Sequence, residues 1–175
     1  MKILKTATLF ILTLMLFASC ATVRVKTDYD SHTDFSKFKT FAFYKKGIDK
    51  AKISDLDKRR ILRAVEAELK AKGMTLSQNP DVLVSIFAKS RKHVDVYNHN
   101  SYWYPSYYGS HWRNNSSSYV EGTLFIDLID AKKKSLLWQG VGKGALSTSS
   151  KVERKEARIN QFVGEIMAEY PPSKE

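Results

Sequence analysis

With a single cysteine among 175 residues the chain cannot form an internal disulfide, and a zinc site built on thiolates is ruled against, so stability has to come from packing. Histidine is nearly as scarce. None of His93, His99 and His111 lies four residues from another histidine, the spacing that places two ligands on one helical face, and no metal or other cofactor is expected. There is no Gly-x-Ser-x-Gly elbow and no internal repeat, so acyl-transfer chemistry lacks a nucleophile. Acidic residues are outnumbered 18 to 29 by lysine and arginine, a formal charge of +11, which favours an anionic partner: nucleic acid, acidic lipid or a polyanionic envelope polymer. The longest apolar run falls short of the roughly 20 residues that cross a bilayer.

What is present begins with that apolar run. Lys2 and Lys5 form a short basic start, Ala7 to Phe17 an apolar stretch broken only by Thr8 and Thr13, and Ala18-Ser19 supplies small residues before Cys20. This is the layout of an export leader. Leu16-Phe-Ala-Ser-Cys20 resembles the bacterial lipobox, in which the cysteine is acylated and becomes the mature N-terminus, with Phe17 standing where Leu or Val is commoner. The competing reading, an ordinary leader cleaved near Ala18, would leave an exposed thiol unpaired in an oxidising compartment. Residues 1–19 are therefore expected to be a lipoprotein signal peptide, Cys20 the lipidation site, and residues 20–175 one domain. Losing Lys2 and Lys5 with the leader lowers the charge from +11 to +9. Ala21-Thr22 after the cysteine lacks the aspartate that marks inner-membrane retention in enterobacteria, which points to the periplasmic face of an outer membrane.

An apolar fraction of 43% beside 27% charged residues belongs to a chain that folds. Residues 23–29 and 40–44 read as an opening antiparallel strand pair, joined through the polar turn Asp30 to Asp34. Ser54 with Asp57 resembles a capping box before a helix over 54–72, with Leu62, Val65 and Leu69 on one face and Gly73 at its end. Val82 to Val96 reads as a long central strand, and 97–118, rich in Tyr, Trp, Asn and Ser without period, as a long loop. Residues 119–130 and 135–147 form a hairpin around Ala131-Lys-Lys-Lys134. Ser150 and Glu153 then form a capping box for a second helix over 150–169, whose stripe is Val152, Ile159, Val163, Ile166 and Tyr170. The order predicts an α+β domain: one mainly antiparallel sheet with two helices packed on one face.

Taken together, Asp28-Tyr-Asp30, Asp34-Phe-Ser-Lys-Phe-Lys-Thr-Phe41, Asn79-Pro-Asp-Val-Leu-Val84, Glu121-Gly-Thr-Leu-Phe-Ile-Asp-Leu-Ile-Asp130 and Leu137-Trp-Gln-Gly140 resemble the bacterial lipoprotein family catalogued as domain of unknown function 4136. That resemblance spans nearly all of the mature chain. It implies an envelope protein with an α+β domain and brings no activity or functional residues with it.

Each candidate for chemistry has a plainer role. Asp28, Asp30 and Asp34 could gather a calcium ion but lack the glycine and terminal glutamate of a calcium loop, so turn and cap roles are expected; Asp127 and Asp130 read likewise as strand-end turn residues. Gly140-Val-Gly-Lys-Gly144 resembles a phosphate loop, yet its spacing is wrong for a dinucleotide fingerprint and no helix follows at once, so close backbone approach is expected there. Lys132 to Lys134 and Lys151, Arg154, Lys155, Arg158 are basic clusters that an exported protein would turn toward anionic lipid or polymer rather than nucleic acid. The aromatics Tyr97, Tyr102, Trp103, Tyr104, Tyr107, Tyr108 and Trp112 have flat faces and polar tips suited to a protein or polysaccharide partner. The expected function is non-catalytic binding or scaffolding by a protein held to membrane lipid through acylated Cys20, in an oligomeric state the sequence leaves open. The alternative is a hydrolase or lyase acting on envelope polysaccharide, with Glu121 and Asp127 as its carboxylates.

Overall fold

Alternating burial along two 15-residue strands organises the molecule. The structure, a computed structural model, describes residues 23–51, 53–96, 116–147 and 149–172. In β4 (Val82–Val96) the side chains of Val82, Val84 and Ile86 are buried, and in β5 (Ser116–Asp130) those of Leu124, Ile126 and Leu128; the residues between them face the other side of the sheet, as a period of two requires. The two strands pair antiparallel along their whole length, and β6 (Leu136–Ala145) continues the hairpin beyond β5, its tight turn closed by Lys134 at a φ of 58°. Asp130 caps that turn by accepting from the Lys132 and Lys133 amides at 2.7 Å each.

The sheet has six strands in the order β1-β6-β5-β4-β2-β3, with β1 at Arg24–Tyr29, β2 at Thr40–Phe43 and β3 at Thr75–Leu76. It is mainly antiparallel, as expected, but mixed: the pairs among β1, β6, β5 and β4 are antiparallel, while β2 runs parallel to both β4 and β3. The strands β1 and β2 do not pair with each other. The chain leaves β1 at one edge, turns through a 3-10 segment at Phe35–Lys37, and enters β2 on the far side of β4. Phe35 anchors this passage, its ring edge-on to Tyr29, Phe38 and Tyr170 with centroids 5.8–6.3 Å apart. Between β2 and β4 the chain passes through two helices, α1 (Lys45–Ile48) and α2 (Asp55–Ala71), and a connection by way of a helix is what returns a strand parallel to the one it left. Asp81 closes the crossover by accepting from the Lys39 and Thr40 amides and the Thr40 hydroxyl at 2.7–3.0 Å.

Helix α2 starts as the sequence indicates: the Ser54 hydroxyl accepts from the Asp57 amide at 3.1 Å and bonds the Asp57 carboxylate. It buries Ile61, Val65 and Leu69, and Gly73 follows at a φ of +82°, a left-handed conformation that glycine adopts without penalty. Helix α3 (Val152–Ala168) does not start at Ser150. Its N-cap is Lys151, with no capping hydrogen bond from its side chain, so the expected capping box is not formed. Its buried residues are Phe162, Val163, Ile166 and Met167, while Val152, placed on the stripe by periodicity, is 48% exposed.

Both long helices join one core with the inward residues of the sheet. Trp138 and Phe41 are its largest fully enclosed side chains. The Trp138 ring lies edge-on to Tyr170 at 5.4 Å, and burial pushes the Tyr170 hydroxyl up to about 12. The indole N–H of Trp138 has no hydrogen-bond partner among the described residues, a local cost of about 1–3 kcal/mol that the surrounding apolar burial has to offset.

Candidate functional site

Opposite the helix layer the sheet shows a second face, and the cross-strand register decides which side chains stand together on it. Phe87, Phe125, Val141 and Lys26 lie abreast on β4, β5, β6 and β1. The next row toward the amino end of β5 is Lys89, Thr123, Lys143 and Arg24, and beyond it Arg91 is level with Glu121. Phe87 is 36% exposed, while Ser85, the next outward residue of β4, is buried and packs against Gly47 of α1. The Phe87 and Phe125 rings meet at 5.8 Å, with the Lys89 ammonium 5.3 and 5.7 Å from their centroids, a cation held over aromatic faces. Phe87, Lys89, Arg91, Glu121, Thr123 and Lys143 border a shallow basin of about 620 Å³.

Glu121 is only 7% exposed although it belongs to this outward face. Its Oε1 lies 3.5 Å from Arg24 and its Oε2 3.1 Å from Lys143, so the carboxylate is enclosed by cations and serves to fix them. Asp127 stands elsewhere on the same strand, in mid-strand and not at a turn as its sequence context indicates. It accepts from the Gln139 side chain at 2.7 Å, and burial raises its carboxyl above the ordinary value against the opposing effect of that bond. Six residues of strand separate it from Glu121, about 20 Å at the usual rise, whereas paired glycosidase carboxylates stand roughly 5–9.5 Å apart. The arrangement can hold an anion beside a flat apolar surface; on the other side of Phe125 the next row is Ser85, Asp127, Gln139 and Asp28, with the two aspartates on either side of Gln139.

The other sequence candidates divide clearly. Asp28, Asp30 and Asp34 are local caps: Asp28 accepts from the Tyr29 amide, Asp30 from the His32 amide and Thr33 hydroxyl, and Asp34 from the amide and hydroxyl of Ser36. Those hydrogen bonds hold the Asp30 and Asp34 carboxyls below their ordinary value. The described residues contain no cluster of three metal-ligating side chains. The glycines at 140 and 142 are the close approach expected of them, since a Cβ on either would strike Ile166 of α3. Lys132 to Lys134 and the cluster starting at Lys151 lie at opposite ends of β5 and do not form one patch, for Arg158 Nε reaches the Ala145 carbonyl at 2.8 Å, level with Glu121. His93 falls on β4; His99, His111, Cys20 and all seven aromatics from Tyr97 to Trp112 lie outside the described residues. The expected loop is shorter at its end, because Ser116 to Ser118 pair with Val94 to Val96 as part of β5. Sequence reading passed over Arg24, Lys89, Arg91 and Lys143. Their signal was a basic residue at alternate positions of β1 and of β4, and their place beside Lys143 is visible only once the register is known.

Comparison with known proteins identifies a class of protein and no activity. Residues 25–172 match the family model described as a domain of unknown function, DUF4136, and the chain belongs to that family. No curated relative matches it. Among solved structures it is similar to a PDZ domain protein from Parabacteroides distasonis, with a TM-score of 0.57 and 21% identity over 94% of this chain. The chain spans 40% of that protein's length, so the likeness shows the fold of one part of it. Weaker likenesses are to the PelC dodecamer from Paraburkholderia phytofirmans (TM-score 0.49, 12% identity, covering 83% of this chain and 95% of that one) and a minor lipoprotein from Acinetobacter baumannii (0.41, 8%, 74% and 88%).

Proposed function

We propose that this chain is a lipid-anchored protein of the bacterial cell envelope that binds or scaffolds another envelope component without catalysis. Residues 1–19 would be its signal peptide, acylated Cys20 its tether, and residues 20–175 a domain held at the periplasmic face of the outer membrane. Each buried methylene of an acyl group contributes about 0.8 kcal/mol to membrane attachment, so several chains on Cys20 make release slow. The observation that carries the binding reading is the exposed sheet face, where Arg24, Lys89, Arg91 and Lys143 stand on one side of Phe87 and Phe125 and Glu121 fixes two of those cations, while Asp127 and Asp28 stand in the row on the other side. An apolar centre with cations along one side suits an anionic envelope protein or polysaccharide. The aromatics from Tyr97 to Trp112 connect β4 and β5 in sequence and belong to the same reading.

A photo-crosslinker placed at Phe87 in living cells tests it, with one at Leu56, 57% exposed on α2, as the comparison. Envelope adducts from Phe87 and few from Leu56 are expected. Equal adducts from both, or none from Phe87, would refute the sheet-face reading. Globomycin, which blocks the lipoprotein signal peptidase, should cause a larger precursor to accumulate in the same cells; unchanged mobility would remove the lipid anchor.

A further inference from the structure

A second cavity lies on the opposite side of the sheet, where the helix layer stops short of the strand ends. It is an open cleft of about 270 Å³ between α2, α3 and the strands; Lys89 and Thr123 border both it and the sheet-face basin, and the helix residues border it alone. Its floor is Ile61, Leu124 and Phe162, each no more than 6% exposed, and Ile53, Ala88 and Ile159 line its sides. Leu146 forms part of the rim and is 39% exposed, an apolar side chain left facing the opening; it sits directly over Gly122, where a Cβ would strike it. Along α3 the lining residues Lys155, Arg158, Ile159 and Phe162 follow helical spacing from solvent to core, so one helix face supplies both the charged mouth and the apolar interior.

The charges at that mouth are unequal. Asp57, its one lining carboxylate, is committed to Arg60 at 2.8 Å and to the cap of α2. The Arg158 guanidinium is fixed over the Phe162 ring at 4.7 Å by bonds to the Ala145 carbonyl and the Gln161 side chain. Lys155 is exposed and has no ion pair among the described residues. An apolar interior beneath an uncompensated ammonium is complementary to a molecule with one apolar tail and one negative charge. A cavity of about 150 Å³ takes benzene, so by proportion this one takes a tail of about ten carbons.

We propose that this cleft binds a medium-chain fatty carboxylate, with its tail between Ile61, Leu124 and Phe162 and its head beside Lys155. A phosphate monoester suits the mouth less well, since it brings about two negative charges to a single free ammonium. The inference does not depend on the sheet-face reading, and the two can fail separately.

The test uses isolated membranes containing the full chain and a decanoate that carries a diazirine and an alkyne. Labelling should map to peptides containing Ile61, Leu146 and Ile159–Phe162, be competed by decanoate, and fall about tenfold in Lys155→Glu, the size of one charge-assisted hydrogen bond. Lys155 is exposed, so that variant should fold; Ala88→Leu, which fills the cleft without touching its charge, should lower labelling independently. Absent labelling, or labelling elsewhere, would overturn the proposal. Equal competition by decanol would remove the role of the charge, and stronger competition by decyl phosphate would replace the carboxylate. If Cys20→Ser raises labelling sharply, the chain's own acyl group is the occupant and the proposed ligand is wrong.

Discussion

Glycines in β6 and α3 give a test in which the same substitution changes sign with its surroundings. An added Cβ at Gly142 would stand 2.7 Å from Cδ1 and 2.8 Å from Cγ1 of Ile166, closer than carbon atoms approach without displacement. At Gly140 it would meet Ile166 Cγ2 and the Trp138 ring. Overpacking of this kind costs about 1–3 kcal/mol, and in a domain of this size each kcal/mol moves the melting temperature by about 2–4 °C. Gly142→Ala should therefore melt about 2–12 °C lower. Gly164, inside α3, is different: its added Cβ would lie 3.5 Å from Glu68 Oε1, an ordinary contact. There alanine removes the helix cost of glycine and should stabilise by about 0.5–1 kcal/mol. Calorimetry on the three single variants measures the signs, and Ile166→Val supplies the decisive cross-check. Valine lacks the Cδ1 that crowds Gly142 but keeps both Cγ atoms, one of them 2.8 Å from the added Cβ there and the other toward Gly140, so in double-mutant cycles it should relieve part of the cost of Gly142→Ala and leave Gly140→Ala unrelieved. If Gly142→Ala is neutral, or both pairs are relieved alike, α3 is not seated on β6 as described, and the glycine run regains its claim to be something other than a packing seam.

Asp81, held below its ordinary value chiefly by the Lys39 amide and the Thr40 hydroxyl, is depressed on folding, so its contribution is present above the unfolded value near 4 and lost as the pH falls. Asp81→Ala should cost about 1–2 kcal/mol in urea unfolding at pH 7, as loss of a cap does, and much less at pH 3; an equal cost at both would refute the assignment. Asp127 has the opposite sign, since burial raises it, and its contribution is present below the unfolded value and lost as pH rises through the folded one. Asp127→Asn keeps an acceptor for Gln139 and should gain about 0.5 kcal/mol at pH 7 after allowance for its partial exposure, a gain absent at pH 3; destabilisation at pH 7 would contradict this. Serine at all seven aromatics from Tyr97 to Trp112 should leave the melting temperature within about 2 °C, one small increment of stability, and abolish the Phe87 adducts; a much lower melting temperature would make those residues part of the core.

Local signals and long-range ones differ in how far they could be read from the chain alone. The Ser54 cap, the turn at Asp130 and the alternation through Val82, Val84 and Ile86 are written in neighbouring residues, so their positions follow from side-chain chemistry within a few bonds. The partner of β2 is not written that way. A polar turn between two short apolar segments describes a hairpin and a passage beneath the sheet equally well, and what distinguishes them here is the burial of Phe35 against Tyr170, 135 residues later. The strand–helix–strand order from Thr40 to Val96 did carry the parallel pairing, though the intervening α1 and β3 are too short to leave a period. Ser116 to Ser118 show the same limit from the other side: their composition suits a loop, and only pairing with Val94 to Val96 makes them strand.

The candidate site follows the same division, for a physical reason that bears on its use. A catalytic site concentrates unusual residues, and those can be searched for in sequence; this one is made of lysines, arginines and phenylalanines that are each ordinary where they stand. Their meaning comes from register. Shifting β5 by one residue against β4 would turn Phe125 and Glu121 into the core and bring Leu124 and Ile126 to the surface, which the burial of those two residues forbids. The packing of the helix layer on one side thus fixes which charges are displayed on the other. A variant that loosens the core at Ile126, such as Ile126→Ala at a cost of about 2–5 kcal/mol, should weaken the Phe87 crosslink without altering any residue on the binding face. Full crosslinking by a destabilised but still folded Ile126→Ala protein would show that the face does not depend on the core in this way.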